Sequence, residues 1–236
     1  MGHRAAGWLN RPERIQEEMP DDVVENMRLE PNHVVADIGA GSGYFSFRIA
    51  SRVPSGKVFA VDIQPEMLQL IEGQKRELNV DNVESVLGTI DDPNIEPDSI
   101  DAAIMVDAYH EFSHPFEMID GIYNALRPGG RIFLLEYRGE DASVPIRPLH
   151  KMTQEQVHNK QMFGLGMNIY KWKYEDCFAP YNFGYNAEAK KDYVLPYLSN
   201  DDPYEVTHDE VLKANWKIQK ILFTIERFRY NKRIRR

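Results

Sequence analysis

The segment that most limits how this chain can fold is Val34-Val35-Ala36-Asp37-Ile38-Gly39-Ala40-Gly41-Ser42-Gly43-Tyr44-Phe45. An apolar run ends in an acid and passes through three alternate glycines into an amphipathic stretch. Glycine permits tight turning and close backbone approach, and the start of a helix offers free N–H groups to a negative group. A second apolar run, Lys57 to Asp62, ends in another acid nineteen positions beyond Gly43. A carboxylate placed there can accept hydrogen bonds from both hydroxyls of a ribose. Strand, glycine loop, helix, strand and acid together describe a nucleotide-like cleft in an α/β fold.

The same rhythm continues along the chain. Short β-branched runs at His33 to Asp37, Lys57 to Asp62, Val83 to Leu87, Ile100 to Val106 and Arg131 to Tyr137 read as strands buried on both faces. Between them, Asp22 to Leu29, Gly43 to Arg52, Glu66 to Leu78 (with Pro65 at its first position) and Pro115 to Leu126 read as helices. The expected fold is α/β: a Rossmann-like, doubly wound, mainly parallel sheet with helices on both faces, plus a C-terminal aromatic-rich and helical extension. The expected divisions are an N-terminal helical lid segment at 1–30, a cofactor-binding core at 31–162 and the extension at 163–236.

After about Pro148 the rhythm changes: His150 to Met162, at the end of the core, reads as a helix, and within the extension Met167 to Tyr174 alternates like a strand. Tyr181 to Asn186, interrupted by Gly184, is a poor strand candidate. From Thr207 onward, Val211, Leu212, Ile218, Ile221, Leu222, Ile225 and Phe228 recur at helical spacing and predict a long amphipathic helix.

The glycine spacing discriminates between ligands. A dinucleotide fingerprint spaces its glycines G-x-G-x-x-G, whereas this loop reads G-x-G-x-G with Asp37 two residues before it. A carboxylate beside a pyrophosphate repels it. Beside the ammonium of an amino-acid moiety it attracts, while the loop N–H groups can receive that moiety's own carboxylate. S-adenosylmethionine carries both groups and a ribose.

These residues resemble the class I S-adenosylmethionine-dependent methyltransferases, over roughly 8–162. Asp37-Ile38-Gly39-Ala40-Gly41-Ser42-Gly43 is similar to the family's first motif, and Val61-Asp62-Ile63 to its ribose acid and adenine-covering residue. The run 100–107 looks like the fourth-strand motif, and Leu126-Arg127-Pro128-Gly129-Gly130-Arg131 like the turn before the fifth strand. The resemblance implies that Asp37, Gly39, Gly41 and Gly43 hold the methionine part, Asp62 the ribose and Ile63 the adenine face. It places Asp91, or its neighbour Asp92, at the adenine amine. The family's chemistry is methyl transfer by in-line displacement, which asks the protein mainly to align the reactants and exclude water.

A hydroxyl or thiol acceptor must also lose a proton, and histidine is suited to take it. At the mouth of the fourth strand lie Asp107, Tyr109, His110 and Glu111. Asp107 is expected to flank the methionine end of the cofactor and Tyr109 to line the pocket. His110 faces the acceptor as base or orienter, or else fixes the loop by hydrogen bonds. His110-Glu111-Phe112-Ser113-His114 also spells H-E-x-x-H, but Pro115 biases His114 away from helical geometry and no third ligand follows at the usual spacing. No metal is expected.

The net charge of −9 over 236 residues argues against DNA binding by the whole surface. From Lys213 to Arg236 nine basic residues face the single acid Glu226, so an acidic body carries a basic tail. That tail is expected to be a solvated face, a contact for an acidic partner or RNA, or a membrane-surface helix. The lone Cys177 excludes a disulfide framework, suits a reducing compartment, and disfavours a thiol-relay arsenic methyltransferase. With no long apolar span and no secretory signal core in Met1 to Asn10, a cytoplasmic protein without a transmembrane segment is expected. The leading expectation is methyl transfer to a small-molecule acceptor. The alternatives are a cofactor-binding regulatory or scaffolding protein with weak activity, and a protein or RNA methyltransferase using the basic tail.

Overall fold

The computed structural model describes residues 6–140, 146–153 and 156, together with the backbone of strands 168–175, 179–186, 191–196, 204–205 and 220–226. Five strands form the centre: β1 (Val34–Ile38), β2 (Lys57–Asp62), β3 (Val83–Leu87), β4 (Ile100–Val106) and β5 (Leu126–Arg138). They are mutually parallel in the order β5-β4-β1-β2-β3. The bounds of β2, β3 and β4 are those expected, and β1 is displaced by one residue.

Side chains alternate along the strands and build two separate cores. Val35, Ile104, Phe133 and Leu135 face the first, together with Val23 and Met27 at α3 (Pro20–Asn26), Ile49 on α4 (Ser46–Arg52) and Ile71 on α5 (Pro65–Leu78). Ala36, Ile38, Met105, Ile132 and Leu134 face the second, against Met118, Ile119 and Ile122 of α6 (Pro115–Ala125). The helices following β1 and β2 therefore cover one face and the helix following β4 covers the other. Pro65 and Pro115 open α5 and α6, where a missing N–H costs nothing. Ahead of β1 stand two short helices, α1 (Ala6–Leu9) and α2 (Arg14–Glu18).

Beyond β5 the backbone departs from the pattern reading in three places. The helix expected from His150 instead begins as a 3-10 turn, Pro148–His150, followed by a short strand β6 (Lys151–Met152) that runs parallel to β5. Thr153 Oγ1 accepts from the N–H of Gln156 (3.0 Å) while Gln156 Oε1 accepts from the N–H of Thr153 (2.7 Å). That reciprocal pair is a capping box. Residues 157–162 lie outside the described residues.

The second departure is at Ala179–Asn186. The strand expected near Tyr174 is β7 (Asn168–Glu175), and Ala179–Asn186 is also a strand, β8, despite Gly184; it pairs antiparallel with β7 and with β9 (Lys191–Pro196), which in turn pairs with β10 (Tyr204–Glu205).

Third, Lys220–Glu226, expected inside the tail helix, is a strand, β11, antiparallel to both β5 and β7. A run of five uncharged residues between charged ones, four of them apolar, fits either period, and the open N–H and C=O groups along β5 decide in favour of the sheet. The rest of the predicted tail helix lies outside the described residues. Among them no helix is long and apolar enough to cross a membrane.

Phe133 is fully buried in the first core. Phe133→Ala is expected to lower unfolding free energy by about 3–5 kcal/mol in a urea titration.

Candidate active site

The strand order reverses its sense at β1 and β4, and the chain leaves the C-terminal ends of these two strands toward opposite faces of the sheet, the usual ligand position in an open α/β sheet. A cavity of about 450 Å³ lies there, within the range of small-molecule sites. Its wall runs from the glycine loop and the end of β2 to the turn after β4 and on to His150.

The glycines shape the loop. Gly39, Gly41 and Gly43 have φ of 75°, 55° and 83°, the left-handed region that side chains disfavour. A Cβ on Gly39 would lie 2.6 Å from Cβ of Ala108, so β1 and β4 can approach only with glycine there. The loop amides are largely used within the protein. Those of Gly39 and Ala40 donate to the carbonyl of Val61 (both 2.9 Å), that of Gly43 to the carbonyl of Ala40 (2.9 Å), and that of Gly41 to Asp62 Oδ2 (2.9 Å). The expected amide cradle for a carboxylate is therefore mostly closed. The cation on this part of the wall is Arg14, a buried residue of α2 whose Nε pairs with Glu18 (2.7 Å) and whose guanidinium lies 4.1 Å from the Tyr44 ring centroid.

Asp37 is buried at the end of β1 and accepts a 2.6 Å hydrogen bond from Ser46 Oγ. Burial pushes its carboxyl up to about 6, against the opposing hydrogen bond of Ser46 and the charge of Arg14. Asp62 accepts from the amides of Gly41 and Gln64 (2.8 Å), and burial raises its pKa in spite of both bonds. A carboxylate has about four acceptor sites, so these two bonds leave capacity for two hydroxyls. Beside it, Ile63 and Ile90 are apolar side chains each 53% exposed on the cavity wall. Asp91 is not on that wall. Its Oδ1 accepts from Thr89 Oγ1 (2.7 Å), and Gly88, Thr89 and Ile90 take the lining position instead. Asp92 is likewise turned into its loop, accepting from the amide of Asn94 (2.7 Å).

At the other end, Asp107 leaves β4 with φ of 50°, its amide donating to the carbonyl of Leu135 (2.9 Å), and lines the cavity. A 3-10 turn, Tyr109–Glu111, follows and sends its side chains to different sides. Tyr109 does not line the cavity as expected. Its ring is buried in the second core, edge-on to Phe112 at 5.6 Å, and burial together with the charge of Glu136 pushes its hydroxyl up to about 12. His110 does face the cavity. Its Nδ1 lies 2.7 Å from Glu136 Oε2, its amide donates to Glu136 Oε1 (3.3 Å), and its Nε2 lies 3.1 Å from His150 Nδ1. Burial works against charge on His110, but the hydrogen bond and charge of Glu136, with Asp107 and Glu111, outweigh it and raise its pKa. His114 is elsewhere: it precedes α6 with φ of −126° beside Ser113 Oγ, so the H-E-x-x-H pentapeptide has no common helix.

Pattern reading did not pick out Ser46, Glu136 or His150. Glu136 carries the clearest signal, an acid inside the apolar run Ile132 to Tyr137, comparable to Asp37 at the end of β1. Trp8, Leu9 and Arg14, from the segment expected as a lid, stand on the cavity wall.

A methyltransferase-domain family model matches residues 29–215. This chain belongs to the class I S-adenosylmethionine-dependent methyltransferases. An uncharacterized methyltransferase-like protein of Schizosaccharomyces pombe is 26% identical over 165 residues, 70% of this chain and 59% of that protein. An arsenite methyltransferase of Halobacterium salinarum is 31% identical over 105 residues, 44% of this chain and 27% of that one. The chain thus spans less than two thirds of these curated relatives. The crystal structure of an S-adenosylmethionine-dependent methyltransferase from Aquifex aeolicus superposes with a TM-score of 0.63 at 22% identity, covering 66% of this chain and 84% of that one, which is a likeness of fold. The cleft suits the family's cofactor: a buried carboxylate at Asp37, spare acceptor capacity at Asp62 and exposed apolar surface at Ile63 match an ammonium, a ribose and an adenine in that order.

The raised pKa of Asp37 has a consequence for stability. A carboxyl whose folded pKa exceeds its unfolded value stabilises the fold below the unfolded value, and that contribution is lost as pH rises through the folded one. Between pH 4 and pH 7 the cofactor-free protein should therefore lose roughly 2–3 kcal/mol relative to Asp37→Asn. Paired denaturant titrations across that window measure the difference. Parallel curves would show that Asp37 titrates normally.

Proposed function

We propose that the chain methylates a small-molecule acceptor, with the N-terminal segment closing over the reactants. The observation that carries this reading is the single cavity wall, which joins the ribose acid Asp62 to Asp107 and His110 and is completed by Trp8 and Arg14 on one side and Arg147 and His150 on the other. A site with side chains from so many segments around about 450 Å³ suits a compact acceptor better than a folded macromolecule.

Bound there, S-adenosylmethionine supplies an electrophilic methyl group on a positively charged sulfur. Asp37 attracts the ammonium and Arg14 the carboxylate of the same moiety. Asp62 accepts from the ribose hydroxyls with the sites that Gly41 and Gln64 leave, and Ile63 and Ile90 present apolar surface to the adenine. Gly39, Gly41 and Gly43 act by keeping the loop low enough for this approach. Asp107 flanks the methionine end. His110, backed by Glu136, faces the acceptor as base or orienter. Arsenite is disfavoured as the acceptor, since the chain has one cysteine for chemistry that relays arsenic through several.

Calorimetric titration should give one cofactor site per chain. Asp62→Ala should weaken it at least tenfold, about 1.4 kcal/mol or more. Affinity should also fall by up to about tenfold per pH unit below pH 6, as Asp37 takes up a proton, and Asp37→Asn should remove that dependence. Labelled methyl incorporation across metabolite, protein and RNA fractions tests the acceptor class. Label confined to RNA or protein would overturn the small-molecule reading, and cofactor binding without any incorporation would leave a binding protein.

A further inference from the structure

The acceptor end of the cavity holds three donor atoms that converge more closely than the proposed methyl transfer requires. His110 Nε2 and His150 Nδ1 are 3.1 Å apart, and Glu111 Oε1 lies 3.8 Å from each of them. Among the described residues these three form the group of histidine and acid side chains placed to share one ion. Around a tetrahedral ion with bonds of about 2.0–2.1 Å, donor atoms stand roughly 3.3–3.4 Å apart. The observed triangle reaches that shape with shifts of a few tenths of an ångström.

A fourth residue orients the triangle. Glu136 is buried at the end of β5 and accepts from the backbone N–H of His110, so its other oxygen, 2.7 Å from Nδ1, is placed to accept the ring proton as well. A proton held at Nδ1 leaves the lone pair on Nε2, the atom that meets His150 and Glu111. A carboxylate behind a histidine in this way fixes the tautomer and raises the basicity of the free nitrogen, the usual support for a histidine that binds a metal. His150 arrives from a different part of the chain, on the turn before β6, and all three side chains line the cavity. His114, the second histidine of the H-E-x-x-H string, takes no part.

We propose that His110 Nε2, Glu111 Oε1 and His150 Nδ1 bind one divalent transition-metal ion of the zinc class, with an open coordination position toward the cavity. Two imidazoles and one carboxylate favour such an ion over magnesium or calcium, which prefer all-oxygen shells. Three protein ligands with one position open is the pattern of a reactive site, in contrast to the four closed ligands of a structural one. The ion's place stands on these residues alone, and only the identity of its fourth ligand rests on the methyl-transfer reading. In that reading, a hydroxyl or thiol acceptor binds the ion through its oxygen or sulfur, releases its proton to solvent, and presents its remaining lone pairs to the donor. His110 is then the orienter, since its free nitrogen is committed to the ion.

The test uses the full chain, stripped with a chelator and titrated with zinc chloride against a chromophoric competitor, then with cobalt chloride while visible absorption is followed. The expected result is one ion per chain and cobalt bands of a four- or five-coordinate nitrogen–oxygen site. His150→Ala and Glu111→Gln should each weaken zinc binding at least tenfold, and Glu136→Gln by about 10–100-fold through its hold on His110. Circular dichroism checks that each variant is folded, and His150, at a half-exposed turn, decides the matter should the buried Glu136 variant not fold. Zinc binding that is absent, or equally tight in His150→Ala and Glu111→Gln, overturns the proposal. Cofactor titration of the stripped protein separates the two readings: cofactor binding without zinc removes the ion alone, and zinc binding without cofactor removes the methyl-transfer reading alone.

Discussion

The reversal between β1 and β4 is the constraint on which the rest of the molecule depends. Helices after β1 and β2 pack on one face through Ile49 and Ile71, while the helix after β4 packs on the other through Ile119 and Ile122. The chain must therefore leave the tops of β1 and β4 in opposite directions. The space that opens between them is a by-product of burying two cores with one sheet. Carboxylates gather around that space: Asp37 and Asp62 at the ends of two strands and Asp107 just beyond a third line it, and Glu136 near the end of a fourth stands behind His110.

These carboxylates differ in what surrounds them. Asp37 has Ser46 and the field of Arg14, too little to offset its burial, so its environment favours a cation arriving from outside. Asp62 is braced by two amides and can work as an acceptor of neutral hydroxyls. Glu136 is committed to His110 from behind. The cleft is thus graded, from an acid whose nearby cation does not offset its burial, through an acid that is hydrogen-bonded in place, to an acid bonded to the histidine in front of it.

Local patterns were informative where the chemistry-bearing residues lie close together in sequence and uninformative where they lie far apart, for physical reasons. The glycine-loop side of the cleft is built from consecutive β-strand, loop and helix, so spacing alone brought Gly39, Gly41, Gly43 and Asp62 onto one loop system. The side of the cleft beyond β4 depends on partners far apart in sequence. Glu136 lies 26 positions from His110 and His150 lies 40, and no period in a sequence reports such meetings. Tyr109 was misplaced because a 3-10 turn sends adjacent side chains in unrelated directions. Asp91 was misplaced because Thr89 offered its carboxylate a partner inside the loop. At Lys220–Glu226 an apolar run compatible with either period was settled by the unpaired edge of β5, which is a tertiary influence.

Gly39 and Ala108 meet so closely that neither position has room for a larger neighbour. They belong to opposite sides of the cleft, one in the glycine loop after β1 and the other in the turn after β4. A shift at either one is passed directly to the other without an intervening spring. Room for side chains of other sizes lies instead on the outer wall of the cavity, at Ser113, Ile146 and Arg147, away from the contact between β1 and β4.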